Sequence, residues 1–237
     1  MPPTLMRLDR ILSNTGLYSR REASILISRG RVCVDGCIAV SGDVRYDPEK
    51  VSVTVDGEPI AYQKYCYIMM NKPAGYISST LDRRDKTVME LLDARYAKLG
   101  LSPAGRLDKD AEGLLLLTND GEFTHSILAP AKRIEKKYYV EIDGIITNAD
   151  IDALRAGLIL RDGTKCLPAG LQRTAGGAFV TLCEGKYHQV KRMMAALGKP
   201  VVYLKRVAIG GLELDENLKP GEYRELTEEI QLIFTHK

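Results

Sequence analysis

Asp108 sits in Gly-Arg-Leu-Asp-Lys-Asp, residues 105–110, a turn that runs into a buried-looking strand carrying four leucines at 114–117. Gly105 and Gly113 permit backbone angles and close approaches that other residues resist, and a continuous apolar run suits a strand covered on both faces. A carboxylate on such a platform can add to an electrophilic carbon, stabilise a developing cation or take a proton. On spacing alone, a turn or cap role is the commoner use of such an Asp. The second stretch that could do chemistry is Glu184-Gly185-Lys186-Tyr187-His188-Gln189-Val190-Lys191-Arg192-Met193. Here a strand ends, a Gly turns the chain and a helix begins. Val190, Met193, Met194 and Leu197 fit the buried stripe of that helix, which puts His188, Lys191 and Arg192 on another face at i, i+3 and i+4. Lys186 beside a free helix N-terminus favours anions, so a phosphate could dock there. For an isolated helix, a solvated cationic surface is the safer reading. Tyr138, near the start of an alternating strand through Ile142, can offer an aromatic face to a site or serve as a structural aromatic, and Tyr139 should face the other way.

These groups need elements to hold them. Leu5, Leu8, Ile11 and Leu12 recur at helical spacing and Gly16 can end that helix, while Ser19-Arg20-Arg21-Glu22 is a capping box that starts a second. The second helix carries Arg20, Arg21 and Arg29 outward with Ala23, Leu26 and Ile27 inward. Gly30 closes it before Val32-Cys33-Val34-Asp35-Gly36, a short strand into a turn. A boundary is expected near Tyr62-Gln63-Lys64, dividing the chain into 1–62 and 63–237. The run Tyr65-Cys66-Tyr67-Ile68-Met69-Met70 then opens the larger domain, and Asn71-Lys72-Pro73-Ala74-Gly75-Tyr76 turns out of that strand.

A chain of 237 residues, 45% hydrophobic and 27% charged, can bury a substantial core in one large domain or two smaller ones. No apolar stretch approaches the roughly 20 residues that span a bilayer, and the start lacks a secretory hydrophobic region, so a cytoplasmic protein without membrane association is expected. The five cysteines are scattered with no Cys-x-x-Cys pair, and Cys33 and Cys37 have no second Cys or His pair nearby, so neither a disulfide framework nor a metal site is expected. The net charge of +3 hides segregation. Residues 1–31 carry six Arg against Asp9 and Glu22, and residues 184–206 carry six Lys or Arg against Glu184, whereas 212–237 carry seven carboxylates against three basic groups. Such segregation suits a polyanion partner, though solvated helix faces account for it equally well.

The motifs together resemble a known family. Gly-Arg-Leu-Asp followed by Glu-Gly-Leu-Leu-Leu-Leu-Thr-Asn-Asp-Gly is similar to the active-site motif of the pseudouridine synthases, in the branch that modifies ribosomal RNA. Asn-Lys-Pro-x-Gly at 71–75, Lys-x-Tyr at 136–138, Leu204-Lys205-Arg206-x-x-Ile209-Gly210 and Pro220-Gly221-Glu222-Tyr223-Arg224 extend the resemblance over nearly the whole chain. Arg-Leu-Asp-Arg-Ile-Leu, Ser-Arg-Arg-Glu-Ala and Gly-Arg-Val-x-Val-Asp-Gly resemble the S4 RNA-binding domain, over a DNA-reading helix-turn-helix as the competing interpretation.

The resemblance implies an α+β protein: an S4-like module, then a catalytic domain with a mixed, largely antiparallel sheet flanked by helices. It implies Asp108 as the essential carboxylate, Tyr138 stacking on the target base, Leu182 packed against that Tyr, and Lys191 pairing with Asp108, with Arg192 as substitute partner. Arg106 would fill the place of the displaced base or contact the RNA backbone, and Lys186, His188, Gln189 and Arg192 would meet substrate. Arg7, Arg20, Arg21 and Arg29 would grip RNA from the S4 module. No cofactor or metal is required, because the isomerisation neither changes oxidation state nor hydrolyses anything. The Tyr-His-Gln-Val-Lys-Arg-Met form points to synthases acting on 16S ribosomal RNA or a small-subunit assembly particle, with a monomer expected. The rivals are a synthase acting on 23S RNA, a non-catalytic S4-type assembly factor, and a glycosidase-like hydrolase that would need Asp110 or Glu112 as its second carboxylate.

Overall fold

The structure, a computed structural model, describes residues 5–234. The chain packs as two units, residues 5–66 with 92–101, and residues 67–91 with 102–234.

In the first unit β1 (Met6–Arg7) precedes α1 (Leu8–Ser13) and α2 (Arg20–Ser28), and β2 (Val32–Val34), β3 (Cys37–Ile38), β4 (Arg45–Tyr46), β5 (Val53–Val55) and β6 (Glu58–Ile60) follow. β1 pairs with β4, and the other four strands form an antiparallel sheet in the order β3-β2-β5-β6. Leu8, Ile11 and Leu12 join Leu26, Ile27 and Val32 in one core. Leu5 departs from the expected helical stripe: it is exposed, because Met6 and Arg7 are taken up by β1 and the helix begins only at Leu8. The capping box of α2 is complete, with Glu22 N–H donating to Ser19 Oγ at 3.2 Å and Ser19 N–H donating to Glu22 Oε2 at 2.6 Å. The bond from Ser19 N–H, with the Ser19 side chain and Lys98, holds the Glu22 carboxyl down to about 2. The β2–β3 turn is tight because Asp35 and Gly36 both take positive φ, 49° and 79°. α3 (Ala94–Ala97) belongs to this unit although it lies far along the chain: Lys98 Nζ donates to Leu17 O and to Glu22 Oε2, both at 3.2 Å.

The second unit is built on a nine-stranded mixed sheet. Its strands are β7 (Tyr67–Lys72), β8 (Ser102–Pro103), β9 (Glu112–Thr118), β10 (Lys136–Ile142), β11 (Gly170–Thr174), β12 (Gly177–Leu182), β13 (Val201–Ile209), β14 (Leu212–Glu213) and β15 (Tyr223–Leu226). The main path runs β11-β12-β10-β13-β9-β7-β15, with β8 on β9 and β14 on β13. Among the described residues, β9 against β13 is the parallel pairing between named strands of this sheet, and the rest are antiparallel. The helices are α4 (Gly121–Leu128), α5 (Asn148–Ala156) and α6 (Gln189–Ala196). β9 lies inside the sheet, and all four leucines at 114–117 are buried. One glycine makes that position possible. Gly113 has φ of 102° and lies against the Arg206 backbone so closely that any side chain would collide with it.

The exit from β7 differs from expectation. Asn71 and Lys72 do not turn out of the strand but continue it, and both are buried. Asn71 Nδ2 donates to Leu218 O at 2.8 Å, which satisfies part of the amide inside the fold. No helix among the described residues is long and apolar enough to cross a membrane.

Candidate active site

The loop 105–111 is held by hydrogen bonds from three separate elements. Ser78 Oγ accepts from Leu107 N–H at 3.0 Å and donates to Leu107 O at 3.1 Å. The buried Lys72 ammonium donates to Ala111 O at 2.7 Å, Pro73 O at 3.0 Å and Lys109 O at 3.4 Å. Gly75 N–H donates to Lys109 O at 2.7 Å. From β13, the buried Arg206 donates through Nε to Leu114 O at 2.8 Å and through Nη1 to Arg106 O at 3.5 Å. Asp108 is therefore presented from a backbone with little freedom to shift. Burial pushes the Lys72 amine down to about 8, opposed by the nearby carboxylates of Asp110, Glu112 and Asp108.

Asp108 opens into a cleft of about 590 Å³ that also includes Arg106, Tyr138, Leu182, Lys186, His188 and Gln189 in its lining. Its two carboxylate oxygens face different cations or potential cations. Lys191 Nζ lies 3.6 Å from Oδ2 and His188 Nε2 lies 3.5 Å from Oδ1. Both distances exceed ordinary hydrogen-bond lengths, so the charges are neighbours while the oxygens retain lone pairs for a ligand. Lys191 makes its short contact elsewhere, to Asp110 Oδ1 at 2.5 Å, and that bond holds the Asp110 carboxyl below the usual carboxylate range. Glu112 is engaged too: Tyr203 Oη donates to its Oε2 at 2.7 Å, and burial with this bond pushes the Tyr203 phenol up.

Tyr138 comes from β10, which pairs with β12 and with β13, and a break in register with β13 falls between Lys137 and Tyr138. The ring is buried at the cleft wall, with Leu182 of β12 also in that wall. Tyr139 points elsewhere, its hydroxyl donating to Gly176 O at 3.0 Å.

The helix α6 departs from the sequence expectation at several positions, beginning with His188, which is the N-cap in left-handed backbone and not part of a helical face with Lys191 and Arg192. Arg192 does not reach Asp108: it pairs with Asp162 at 2.5 Å and donates to Tyr187 O at 3.2 Å, because its place on the helix turns it toward the 160–164 loop. Lys186 is not free beside the helix N-terminus. Its Nζ is 2.6 Å from Glu184 Oε2 and also bonds Lys165 O, while Lys186 N–H donates to the Gln189 side chain at 2.9 Å. Burial works to raise the Glu184 carboxyl, but hydrogen bonds from Lys186, Leu167 N–H and Gln189 outweigh it and hold the group ionised. Gln189 is buried and so acts within this network, and Leu197 is half-buried at the helix end. Of the four arginines expected to meet RNA, all are exposed, and Arg7 is in addition paired with Asp9 at 2.7 Å and Asp43 at 2.5 Å.

Sequence reasoning passes over Ser78, Lys72 and Arg206 as parts of the site. The signals for Lys72 were its place in the Asn-Lys-Pro-x-Gly motif and its position two residues past an apolar strand run, where a charge must be exposed or satisfied. Among the described residues no three His, Cys, Asp or Glu side chains stand together as a metal site.

Residues 66–196 match the RNA pseudouridylate synthase family, and residues 6–51 match the S4 domain. An uncharacterized RNA pseudouridine synthase of Bacillus subtilis (strain 168), YtzG, is 45% identical over 229 residues, spanning 94% of this chain and 96% of that protein. Ribosomal small subunit pseudouridine synthase A of Escherichia coli (strain K12) is 43% identical over 229 residues, spanning 94% and 97%. A crystal structure of a pseudouridylate synthase matches with a TM-score of 0.68 at 36% identity, covering 96% of this chain and 99% of that one.

Proposed function

The chain belongs to the RNA pseudouridylate synthase family, with an S4 domain ahead of the synthase domain, and from that premise we propose that it converts a uridine of small-subunit ribosomal RNA to pseudouridine through Asp108. In this isomerisation the C1′–N1 bond breaks, the uracil turns, C5 joins C1′, the C5 proton leaves and N1 gains one. A carboxylate at the sugar serves it by adding to C1′, by stabilising a cationic sugar, or by removing the 2′ proton on a glycal route. The observation that carries the reading is that Asp108 and Tyr138, from different elements, line one cleft, with Lys191 Nζ of α6 lying 3.6 Å from the Asp108 carboxylate.

Asp108 does the covalent or electrostatic work. Lys191, with its Nζ 3.6 Å from Oδ2, orients the carboxylate by attraction of opposite charge. The target uridine leaves its stack to enter the cleft, and Tyr138 with Leu182 replaces the lost stacking surface. Arg106 is exposed at the rim, suited to the vacated base position or the RNA backbone. Arg20, Arg21 and Arg29 supply phosphate contacts from the S4 domain. The two carboxylates that the hydrolase alternative would call on are already engaged, Asp110 by Lys191 and Glu112 by Tyr203. The names of the small-subunit relatives support 16S RNA as the substrate over 23S RNA.

Tritium release from 16S RNA labelled at uridine C5 tests this directly. We expect release by the wild type and a loss of at least about 10³-fold in Asp108→Asn, the scale of removing a group on which the reaction depends. Release from 23S RNA alone would keep the chemistry and overturn the substrate. Tight RNA binding without release from either RNA would leave a non-catalytic S4 factor.

A further inference from the structure

Tyr187 is out of place for a tyrosine. The chain has twelve, all among the described residues, and Tyr187 alone is exposed, at 75%. Its ring is not adrift. It lies parallel to the His188 ring, centroids 3.9 Å apart and planes 16° from parallel. His188 holds its ring there from a left-handed backbone, φ 46° and ψ 37°, a conformation that non-glycine residues seldom adopt and that tends to be kept at functional sites. The two rings stand as a ridge. On one side is the cleft of Asp108, with His188 Nε2 at 3.5 Å from the carboxylate; on the other is a second cleft of about 450 Å³ lined by Leu160, Arg161, Asp162, Arg192, Ala195 and Ala196 as well as Tyr187. In that second cleft Arg192 is neutralised by Asp162, while Arg161 is exposed and makes no ion pair among the described residues.

We propose that the outer face of Tyr187, backed by His188, is a stacking platform for the base of a nucleotide flanking the target uridine, with Arg161 positioned for that nucleotide's phosphate. The proposal rests on the synthase reading and adds a recognition surface to it. Taking one uridine out of its stack leaves neighbouring bases with an uncovered π-face, and an exposed tyrosine beside the catalytic cleft can cover it without reading its hydrogen-bonding edge. Backing the tyrosine with a second ring fixes its orientation before RNA arrives, so less freedom is lost on binding. The platform adjoins Asp108 through His188, which links occupancy of the flanking position to the place where the sugar must sit.

The protein has no tryptophan, so Tyr187→Trp introduces a single indole at the ridge. Its emission is followed while a 16S RNA transcript is added, with Phe234→Trp as a control in the C-terminal segment. In parallel, tritium release from the same transcript gives KM and kcat for wild type, Tyr187→Phe and Tyr187→Ala. We expect the indole at 187 to be quenched and the control to be unmoved. We also expect Tyr187→Ala to raise KM about 10- to 100-fold with kcat within about twofold, and Tyr187→Phe to stay near wild type, the pattern of one lost stacking contact. An unchanged KM in Tyr187→Ala, or an unquenched indole on a transcript that is turned over, overturns the platform while leaving the synthase reading intact. If the wild type releases no label from any ribosomal RNA, that reading falls and the proposal of a base flanking the target uridine falls with it.

Discussion

At the scale of single residues, the arrangement separates groups that their types alone leave interchangeable. Lys191 and Arg192 are adjacent cations on one helix, yet Lys191 faces Asp108 at 3.6 Å and Asp110 at 2.5 Å while Arg192 is committed to Asp162. Two substitutions divide their roles. In single-turnover tritium release, Lys191→Met is expected to slow the reaction by about 10²-fold through loss of a charge that orients Asp108, whereas Arg192→Ala is expected to leave the rate within about twofold. Equal losses in the two variants would remove the distinction. Local sequence offered Asp108 and Tyr138 only as candidates, since a Gly-containing turn more commonly holds a turn or cap Asp and an alternating strand a structural aromatic, and it was the family resemblance that singled them out. The partner of Asp108 was not decided by spacing, since consecutive residues on a helix differ by about 100° in direction and only packing selects which one points at the loop.

At the scale of elements, the sequence signals that proved reliable were those whose causes are local. The Ser19 capping box closes within one helical turn, and the same logic operates at Thr147, whose side chain accepts from Asp150 N–H at 3.2 Å. Ser19→Ala is expected to cost about 1 kcal/mol of stability. That would lower the Tm by about 2–4 °C in a chain of this size, read by circular dichroism. The end of β7 was legible only in part, because Lys72 stays in the strand by donating to carbonyls of a loop distant in sequence. Its buried amine titrates at about 8 when folded against 10.5 for an ordinary lysine. Below about pH 8 both folded and unfolded chains bear this charge and the burial penalty is complete; between about pH 8 and 10.5 the unfolded chain binds more protons, so stability from this group rises with pH. Denaturant unfolding should accordingly show the wild type gaining on the order of 1–2 kcal/mol relative to Lys72→Met between pH about 7 and about 9.5. Parallel pH curves for the two proteins would show that Lys72 is not titrating inside the fold.

At the scale of the whole molecule, a modest net charge of +3 conceals basic groups that differ in availability. Arg20, Arg21 and Arg29 are exposed on or at the end of α2, but Arg7 is bridged to Asp9 and Asp43. Replacing Arg20, Arg21 and Arg29 by alanine together should lower the slope of log affinity for RNA against log salt by about 2, at roughly 0.7 per single-stranded phosphate contact, while Arg7→Ala should leave the slope nearly unchanged. Filter binding across about 50 to about 200 mM salt measures both. A larger change from Arg7 would mean that RNA breaks its ion pairs.

The amino-acid sequence by itself determined the Ser19 helix cap and the apolar strand through 114–117, which follow from periodicity and turn preferences among residues close along the chain, while the order of the two domains and the candidate site residues came from the resemblance of its motifs to a known family. Only the tertiary structure decided which residues meet. Lys191 contacts Asp110 across 81 residues, and Arg206 contacts the backbone at Leu114 across 92, because β13 lies beside β9 in the sheet. The packing of 92–101 with the first unit is a decision of the same kind. Strand order and long-range satisfaction of buried polar groups are properties of the assembled sheet, and no local pattern encodes them singly.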